Sequence, residues 1–140
     1  MKRLHAVSQT IALNDLAALR QKWEMTLQQE GGDGDAVADM IVALNEAVVN
    51  SLRHGYKQEA GPVEIEIWRA DLTLQVVLRD SAPLFDPTLV PTPDTTRPLA
   101  QRPLGGMGVH MMRNYTDELH YNVTPDGRNQ LTLVKYNAFQ

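Results

Sequence analysis

Cysteine is absent from this sequence of 140 residues, and aromatic residues are scarce at 6% of the chain. Without cysteine the chain has no disulfide bond, no thiolate nucleophile and no cysteine-ligated metal site. Basic residues are also too few to dominate, because 13 Lys and Arg stand against 17 Asp and Glu, which gives a net charge of −4. No basic stripe is visible, so we expect no direct contact with nucleic acid.

Long apolar runs are missing as well. No stretch approaches the ~18–20 consecutive apolar residues of a membrane-spanning helix, and polar residues soon follow the basic pair Lys2 and Arg3, which interrupts any signal-peptide pattern. We therefore expect a cytoplasmic protein that does not contact the membrane. The chain is 43% hydrophobic, which is enough for a core, and its length predicts that residues 1–140 form a single domain.

Two helices are predicted in the first half of the chain, after a weak strand pattern over residues 4–12. The first helix spans roughly residues 15–29, with apolar residues at helical spacing and Asn14 as its N-cap. The glycine-rich stretch 31–34 ends it. These features place one amphipathic helix directly after the first strand.

The second predicted helix begins near Asp33 or Asp35, either of which can act as its N-cap. It continues to His54, and Gly55 is well placed as the residue that ends it. From Met40 to Leu52 its only charged residue is Glu46. The face around Glu46 and Asn50 carries small apolar residues, which predicts that something covers this face or binds to it.

A β-hairpin is predicted after the second helix, with Asp71 in its turn. Alternating apolar residues in each strand share one face: Val63, Ile65 and Ile67 in the first, and Leu72, Leu74, Val76 and Leu78 in the second. Residues 81–104 then hold six of the eight prolines and show almost no periodicity. A loop of that length in a compact domain is usually functional or disordered.

The last part of the chain predicts a short helix near residues 109–116 and two strands near 118–123 and 129–136. The complete order is strand, helix, helix, two strands, long loop, helix and two strands. This order favours an α+β fold, a two-layer sandwich with the helices on one face of a mixed, mostly antiparallel sheet.

Glu46 and Asn50 form the first candidate site, one helical turn apart on the second helix. On a helical wheel they lie on the side opposite the apolar stripe that faces the sheet, among small apolar neighbours. A carboxylate in such surroundings is usually paired or used for chemistry. The alternative is a partly exposed polar pair without a role.

Asp80 is the second candidate, because it ends a hydrophobic strand in the stretch "LRDSAPLFDP". A carboxylate there can accept a hydrogen bond from an amino group such as that of adenine. The alternative is an aspartate that only forms a turn.

Gly105, Gly106 and Gly108 form the third candidate, because they immediately precede a predicted helix. Glycines allow the backbone to approach a bulky anion, and a helix N-terminus offers free N–H groups, so the pattern is typical of phosphate binding. It is neither a Walker A loop nor a dinucleotide fingerprint, since the following residues and the spacing differ. The alternative is a flexible hinge before a helix.

Taken together, the three motifs resemble the GHKL ATPase superfamily. The stretches "NEAVVNSLRHGY", "DSAPLFDP", "PLGGMGVHMMRNYTDELHY" and "NQLTLVKY" are most similar to the anti-sigma-factor serine/threonine kinases of bacterial partner-switching modules. The resemblance covers about residues 36–136, and it implies the Bergerat fold of histidine kinase-like ATPases.

The resemblance implies that the protein binds ATP and Mg²⁺. In that case Asn50 ligates Mg²⁺, Glu46 acts as general base or positions the nucleophile, and Asp80 reads the adenine amino group. Asn129 assists the adenine contact. Gly105, Gly106 and Gly108 belong to the part that covers the phosphates, together with a lid over residues 88–106.

Ala82 departs from the family pattern, which usually has glycine two residues after the aspartate. Pro83 follows directly and favours an extended backbone at Ala82, so that alanine is compatible with the turn. We therefore expect Ala82 to remain part of the nucleotide site. How closely adenine approaches its methyl group is left open by the sequence.

The resemblance also implies partners. They are a STAS-domain anti-anti-sigma protein as the substrate and a sigma factor or another target as the inhibited protein, and the chain is expected to form a homodimer. One alternative is a nucleotide-dependent binding module without kinase activity. Another is a detached histidine-kinase-like catalytic domain, which would need a phospho-accepting histidine on a dimeric helix pair.

Overall fold

The computed structural model describes residues 1–91 and 106–140. Within these two ranges, five strands and three α-helices are formed, together with a π-helical segment that continues the second helix. The strands are β1 (Lys2–Ala12), β2 (Ala60–Ala70), β3 (Thr73–Asp80), β4 (Glu118–Val123) and β5 (Asn129–Lys135). The helices are α1 (Leu16–Gln29), α2 (Gly34–Val49) and α3 (Gly106–Asn114), and the π-helical segment is Asn50–Tyr56.

The five strands form one sheet in the order β1-β2-β3-β5-β4, and all four pairings between neighbours are antiparallel. The predicted α+β sandwich is confirmed. The sheet is more regular than the mixed one expected, since no parallel pair occurs among the described strands. A short turn joins β4 to β5 and makes this pair antiparallel. β5 lies between β3 and β4, and its pairing with β3 is also antiparallel.

The core lies between the helices and one face of the sheet. Alternate residues of β2 and β3 point into it, as the hairpin pattern predicted, and α1 and α2 contribute fully buried side chains from the other side. These residues are less than 2% exposed: Trp23, Leu27, Met40, Leu44, Ile65, Ile67, Leu74 and Val76. Burying one such aliphatic side chain contributes about 1.5–3 kcal/mol, so the sheet and helix faces are held together mainly by apolar contact.

One residue of the predicted hairpin face was assigned wrongly. Leu72 is 42% exposed, because it lies in the turn between β2 and β3 rather than in a strand. Asp71 occupies this turn as expected and has a positive φ of 57°, a conformation that aspartate tolerates better than most residues.

The start of α1 also differs from the prediction. Asn14 is not its N-cap; instead a 3₁₀ turn, Leu13–Asp15, leads into the helix. The carboxylate of Asp15 accepts a hydrogen bond from the N–H of Ala12 over 2.8 Å, and this bond stabilises the 3₁₀ turn. For α2 the prediction is confirmed, because Asp33 caps the helix by accepting a bond from the N–H of Ala36 over 3.1 Å.

The end of the second helix lies beyond its predicted position. The helix passes into the π-helical segment at Asn50, and Lys57 ends it in the left-handed conformation with φ of 54°. Gly55 is therefore inside the segment and does not terminate it. π-Helical turns are rare and occur frequently at functional sites.

On the other face of the sheet, charged side chains of the described residues form a network of ion pairs. Glu66 accepts hydrogen bonds from Arg79 and Arg3, and Glu64 pairs with Arg128. Such partly exposed pairs contribute little to stability. Within the described ranges, no helix combines the length and apolar character that a membrane crossing requires.

Candidate functional site

A cavity of about 350 Å³ opens between the π-helical segment, the end of β3 and the start of β5. Its wall combines apolar side chains with a few polar ones that converge on the same end. The polar and small residues of this wall include Asn50, Ser51, Gly55, Asp80, Ala82, Tyr121 and Asn129. Such a mixture is typical of a small-molecule site.

Asp80 is the centre of the polar end of the cavity. It is 9% exposed and accepts hydrogen bonds on both carboxylate oxygens. Ser51 Oγ donates to Oδ2 over 2.7 Å, while Ala82 N and Asn129 Nδ2 donate to Oδ1 over 3.1 and 2.8 Å. Three donors hold the carboxylate in one orientation, and its remaining lone pairs can accept a bond from a ligand amino group.

Asn129 is equally fixed. Its Nδ2 donates to Asp80 and to the carbonyl oxygen of Ala82, and its Oδ1 accepts from Phe85 N over 3.1 Å and from Tyr121 Oη over 2.5 Å. The side chain is 8% exposed. It therefore connects β5 to the turn after β3 and fixes the carboxylate of Asp80 through a hydrogen bond.

Two tyrosines complete this network. The hydroxyl of Tyr56 donates to the carbonyl oxygen of Pro62 over 2.6 Å and accepts from Ser81 N over 2.7 Å. Burial raises the pKa of both Tyr56 and Tyr121 above the usual 10.0, and the charges of Asp80 and, for Tyr121, Asp86 add to this effect. Both phenols thus stay neutral near pH 7 and remain hydrogen-bond donors.

Asn50 lies at the junction of α2 and the π-helical segment, where it lines the cavity and is half-buried. No group of three or more His, Cys, Asp or Glu able to hold a metal occurs in the part of the chain that the structure describes. A single amide oxygen fits Mg²⁺ bound chiefly through phosphate oxygens and water, because this small ion keeps much of its hydration. The residues present therefore fit Mg²⁺ that arrives with a nucleotide.

Glu46 lies one turn before Asn50 on α2, next to α3 rather than in the cavity wall. The space between Glu46 and α3 is narrow, because a methyl group added to Gly108 would lie 3.3 Å from Glu46 Oε2. α3 packs along α2 here, and the neighbouring Ala43 and Ala47 are buried. The expectation that something covers this unusually apolar helix face is confirmed.

The structure brings four of the predicted residues together at the cavity: Asn50, Asp80, Ala82 and Asn129. Gly106 and Gly108 lie in the first turn of α3, which begins three residues before the predicted helix. Gly105 and most of the predicted lid over residues 88–106 lie outside the described residues. Before that gap, Pro87–Leu89 forms a 3₁₀ turn.

Sequence reasoning missed several residues of the site. Ser51, Tyr56 and Tyr121 bond to its polar end, and His54 and Lys57 line its rim. Ser51 and Tyr56 stand inside the quoted stretch "NSLRHGY", but the predicted straight α-helix gave no reason for Ser51 to bond to Asp80 or for Tyr56 to bond to Ser81, the next residue. Tyr121 alternates with Leu119 in β4, which was the available signal for a side chain on the inner face of the sheet.

The chain matches the family model for the histidine kinase-like ATPase domain over residues 10–135. The match covers most of the sequence, so the chain belongs to this family of ATPase domains. Membership implies that it binds ATP, in agreement with a cavity in which a buried carboxylate faces a space of suitable size.

The chain is also similar to the serine-protein kinase RsbW of Bacillus cereus (strain AH820), Bacillus anthracis (strain A0248) and Bacillus thuringiensis (strain Al Hakam). Each is 26% identical over 106 residues, which amount to 73% of this chain and 65% of the relative. The chain thus spans slightly less than two thirds of the length of these relatives, and the relationship is distant.

A solved structure with the same fold contains the RsbU and RsbW domains of Rv1364c from Mycobacterium tuberculosis. It superposes with a TM-score of 0.61 and covers 94% of this chain and 32% of that chain, at 18% sequence identity. At this identity the similarity shows the fold alone, and it confirms the α+β sandwich of helices on an antiparallel sheet.

Proposed function

We propose that residues 1–140 form a single Mg²⁺- and ATP-dependent protein kinase domain that phosphorylates a serine of a partner protein. The observation that carries the proposal is the convergence of Asn50, Asp80 and Asn129 on one cavity, from three separate parts of the chain. Membership of the ATPase family and the similarity to serine-protein kinases support the same conclusion.

Asp80 is the residue that recognises adenine in this proposal. Its carboxylate is an acceptor and not a donor when ionised, so it favours a ligand with an amino group at that point. Guanine presents a carbonyl oxygen at the corresponding position and would be repelled. Ala82, Asn129 and Ser51 hold the carboxylate in place through the bonds described above.

Asn50 is the protein ligand of Mg²⁺ that accompanies the nucleotide. The bound ion supplies charge neutralisation on the phosphate oxygens. Asn50 contributes a neutral amide oxygen, which orients the ion without adding a charge. Gly105, Gly106 and Gly108 are proposed to approach the phosphates, since α3 begins at Gly106 and the first N–H groups of a helix are free to bind an anion.

Glu46 is the proposed general base. The hydroxyl oxygen of the incoming serine forms a bond to the terminal phosphorus of ATP, the bond from that phosphorus to the ADP oxygen breaks, and the serine proton passes to the Glu46 carboxylate. Glu46 lies one turn from Asn50 and beside the start of α3, so it is close to the proposed metal ligand without being part of the cavity wall.

The proposed protein substrate is a STAS-domain anti-anti-sigma protein, and the proposed inhibited target is a sigma factor or another protein controlled by the same switch. A homodimer is proposed as the functional form. These proposals rest on the resemblance of the sequence motifs to anti-sigma-factor kinases, and the 26% identity with serine-protein kinases named RsbW supports the kinase part.

A nucleotide-dependent binding module without transfer activity is the second candidate. It is favoured by one observation, namely that Glu46 does not line the cavity that contains Asp80. Such a protein would use ATP only to select the conformation that binds a partner.

Two measurements test these proposals. Calorimetric titration with ATP, ADP and GTP, with and without Mg²⁺, should show adenine-selective binding that Mg²⁺ strengthens; no heat and no thermal shift at millimolar nucleotide would refute the nucleotide site. Incubation with labelled ATP and STAS proteins encoded nearby should then yield phosphoserine. Partner affinity that depends on ATP without any phosphoserine would favour the binding module.

A further inference from the structure

Gly55 and Ala82 lie in close contact with each other in the wall of the cavity. A methyl group placed on Gly55 with ideal geometry would lie 2.8 Å from Cβ of Ala82, closer than such carbon atoms approach in proteins. The next neighbour of that methyl group, the carbonyl oxygen of Asn50, is 3.9 Å away. Among the described residues, the methyl group of Ala82 is thus the nearest contact of a methyl group added at position 55, and the only one shorter than ordinary van der Waals distance.

The backbone at Gly55 does not itself require glycine. Among the described glycines, positive φ angles occur at Gly31 and Gly127 and not at Gly55. Alanine is also the better residue within a helix, because glycine loses more backbone entropy when it is ordered. The glycine is therefore explained by the close approach of Ala82 and not by local conformation.

Ala82 cannot move away from the helix without disturbing the site. It is 6% exposed, its N–H donates to Asp80 Oδ1 over 3.1 Å, and its carbonyl oxygen accepts from Asn129 Nδ2 over 3.1 Å. A displacement of Ala82 would strain both bonds, and one of them fixes the carboxylate of Asp80.

The π-helical segment that carries Gly55 is also fixed in position next to this contact. Tyr56 follows Gly55 directly, and its hydroxyl accepts from the N–H of Ser81, which precedes Ala82. The ring of Tyr56 also lies against Gly61, where an added methyl group would approach it to 2.4 Å. The two backbones are thus joined next to the contact, and their separation is fixed.

We propose that Gly55 and Ala82 form a size-matched pair, in which the missing methyl group on the helix accommodates the methyl group on the turn and so sets the position of Asp80 in the cavity. The part of this inference that concerns nucleotide affinity rests on the proposed function.

A double-mutant cycle tests the pair. The variants are Gly55→Ala, Ala82→Gly and the two combined, with Gly34→Ala as the matched control, because a methyl group on Gly34 meets nothing within 4 Å. For each, the unfolding midpoint is measured without nucleotide and the Kd for ATP by calorimetry. Gly55→Ala should lower the midpoint and weaken ATP binding by about tenfold or more, whereas the double variant should bind within about threefold of Ala82→Gly.

Equal effects of Gly55→Ala with and without Ala82→Gly would overturn the inference, as would wild-type behaviour of Gly55→Ala. If Gly55→Ala does not fold, the double variant decides, because it must then fold and match Ala82→Gly. If the wild type binds no nucleotide, the proposed function fails, while the coupling in the unfolding midpoint still supports or refutes the pair. Gly34→Ala should leave the Kd unchanged.

Discussion

Asn129 donates its side-chain N–H to Asp80 Oδ1 over 2.8 Å, and the two residues are directly paired across β5 and β3. The carboxylate can only accept this bond, and the amide oxygen of Asn129 in turn takes bonds from Phe85 and Tyr121. The amide can therefore have one orientation only. Asn129 on β5 thus fixes the carboxylate of Asp80 at the end of the neighbouring strand β3.

Replacing Asn129 by aspartate should destabilise the protein. The change removes the donor and places a second carboxylate beside Asp80, so we expect the free energy of unfolding to fall by about 1–3 kcal/mol. Chemical denaturation at pH 7 measures this. The control is Asn122→Asp on β4, where the side chain is exposed and the change should stay within about 0.5 kcal/mol. Equal losses in both variants would contradict the role given to Asn129.

Asp80→Asn should remove the preference for adenine while the protein remains folded. An amide nitrogen at the Oδ2 position can donate to Ser51, whose hydroxyl can also accept, so the internal network survives. We expect the ratio of the Kd values for GTP and ATP to fall by about tenfold or more, as for a lost charged hydrogen bond.

Asp71→Asn is the control for that change, since Asp71 is exposed at the far end of the same hairpin and asparagine also tolerates its positive φ. Calorimetry of both variants with ATP and GTP gives the comparison. An unchanged selectivity in Asp80→Asn would mean that another group recognises the base.

Glu46→Gln should separate nucleotide binding from phosphoryl transfer. Glutamine preserves the size of the side chain and can orient a hydroxyl, but it cannot accept the serine proton. We expect the Kd for ATP to stay within a few-fold and the rate of serine phosphorylation to drop by roughly 10²–10⁴. Glu24→Gln on the exposed face of α1 should transfer phosphate at the wild-type rate. Full activity of Glu46→Gln would exclude Glu46 as the base.

Asn50→Ala should weaken the Mg²⁺-dependent part of ATP binding and leave the Mg²⁺-independent part nearly unchanged. The physical reason is the loss of one metal ligand without any change in the adenine end of the cavity. Titrations with ATP in Mg²⁺ and in EDTA measure the two parts. Asn45→Ala is the control on the same helix, because Asn45 accepts a bond from Arg20 over 2.7 Å and faces α1. A Mg²⁺ effect that survives in Asn50→Ala would assign the ligand elsewhere.

The stability of the fold should decrease in weak acid because of His5. Burial lowers the pKa of His5 below its usual 6.5, and the positive charge of Lys22 adds to the effect. The folded state favours the neutral ring, so its contribution is complete above pH 6.5 and is lost as the pH falls through the lowered pKa. His5→Gln should flatten the dependence of the unfolding free energy on pH in this range, and Lys22→Gln should reduce it. The same slope in all three proteins would refute this assignment.

Much of the fold was predictable because burial leaves a periodic trace. The alternation in "VEIEIW" predicted the inner face of β2 correctly, and Val63, Ile65 and Ile67 are at most 2% exposed. The position of β5 between β3 and β4 was not predictable in the same way, since strand order depends on contacts between distant segments. Leu72 shows the limit of periodicity, because it continues the pattern of β3 by one step into the turn.

The position of Asp80 could be anticipated because it ends a hydrophobic strand, and the structure places it in the cavity wall. The π-helical segment could not be anticipated, because no residue in "NSLRHGY" demands an i to i+5 hydrogen bond. The π-helical segment makes three tertiary contacts: Ser51 bonds to Asp80, Tyr56 bonds to Ser81, and Gly55 leaves space for the methyl group of Ala82. A helix wheel with uniform spacing cannot direct these three residues to one turn.

The hydrogen bonds around Asp80 join residues that are far apart in the sequence. Ser51 and Asp80 are separated by 29 positions, and Asp80 and Asn129 by 49. Contacts of such separation form only after the entropy of closing long loops has been overcome. The complete cavity requires β5 to be paired with β3. We therefore expect the ability to bind a nucleotide to appear late during refolding, so that binding would report chains whose central sheet has formed.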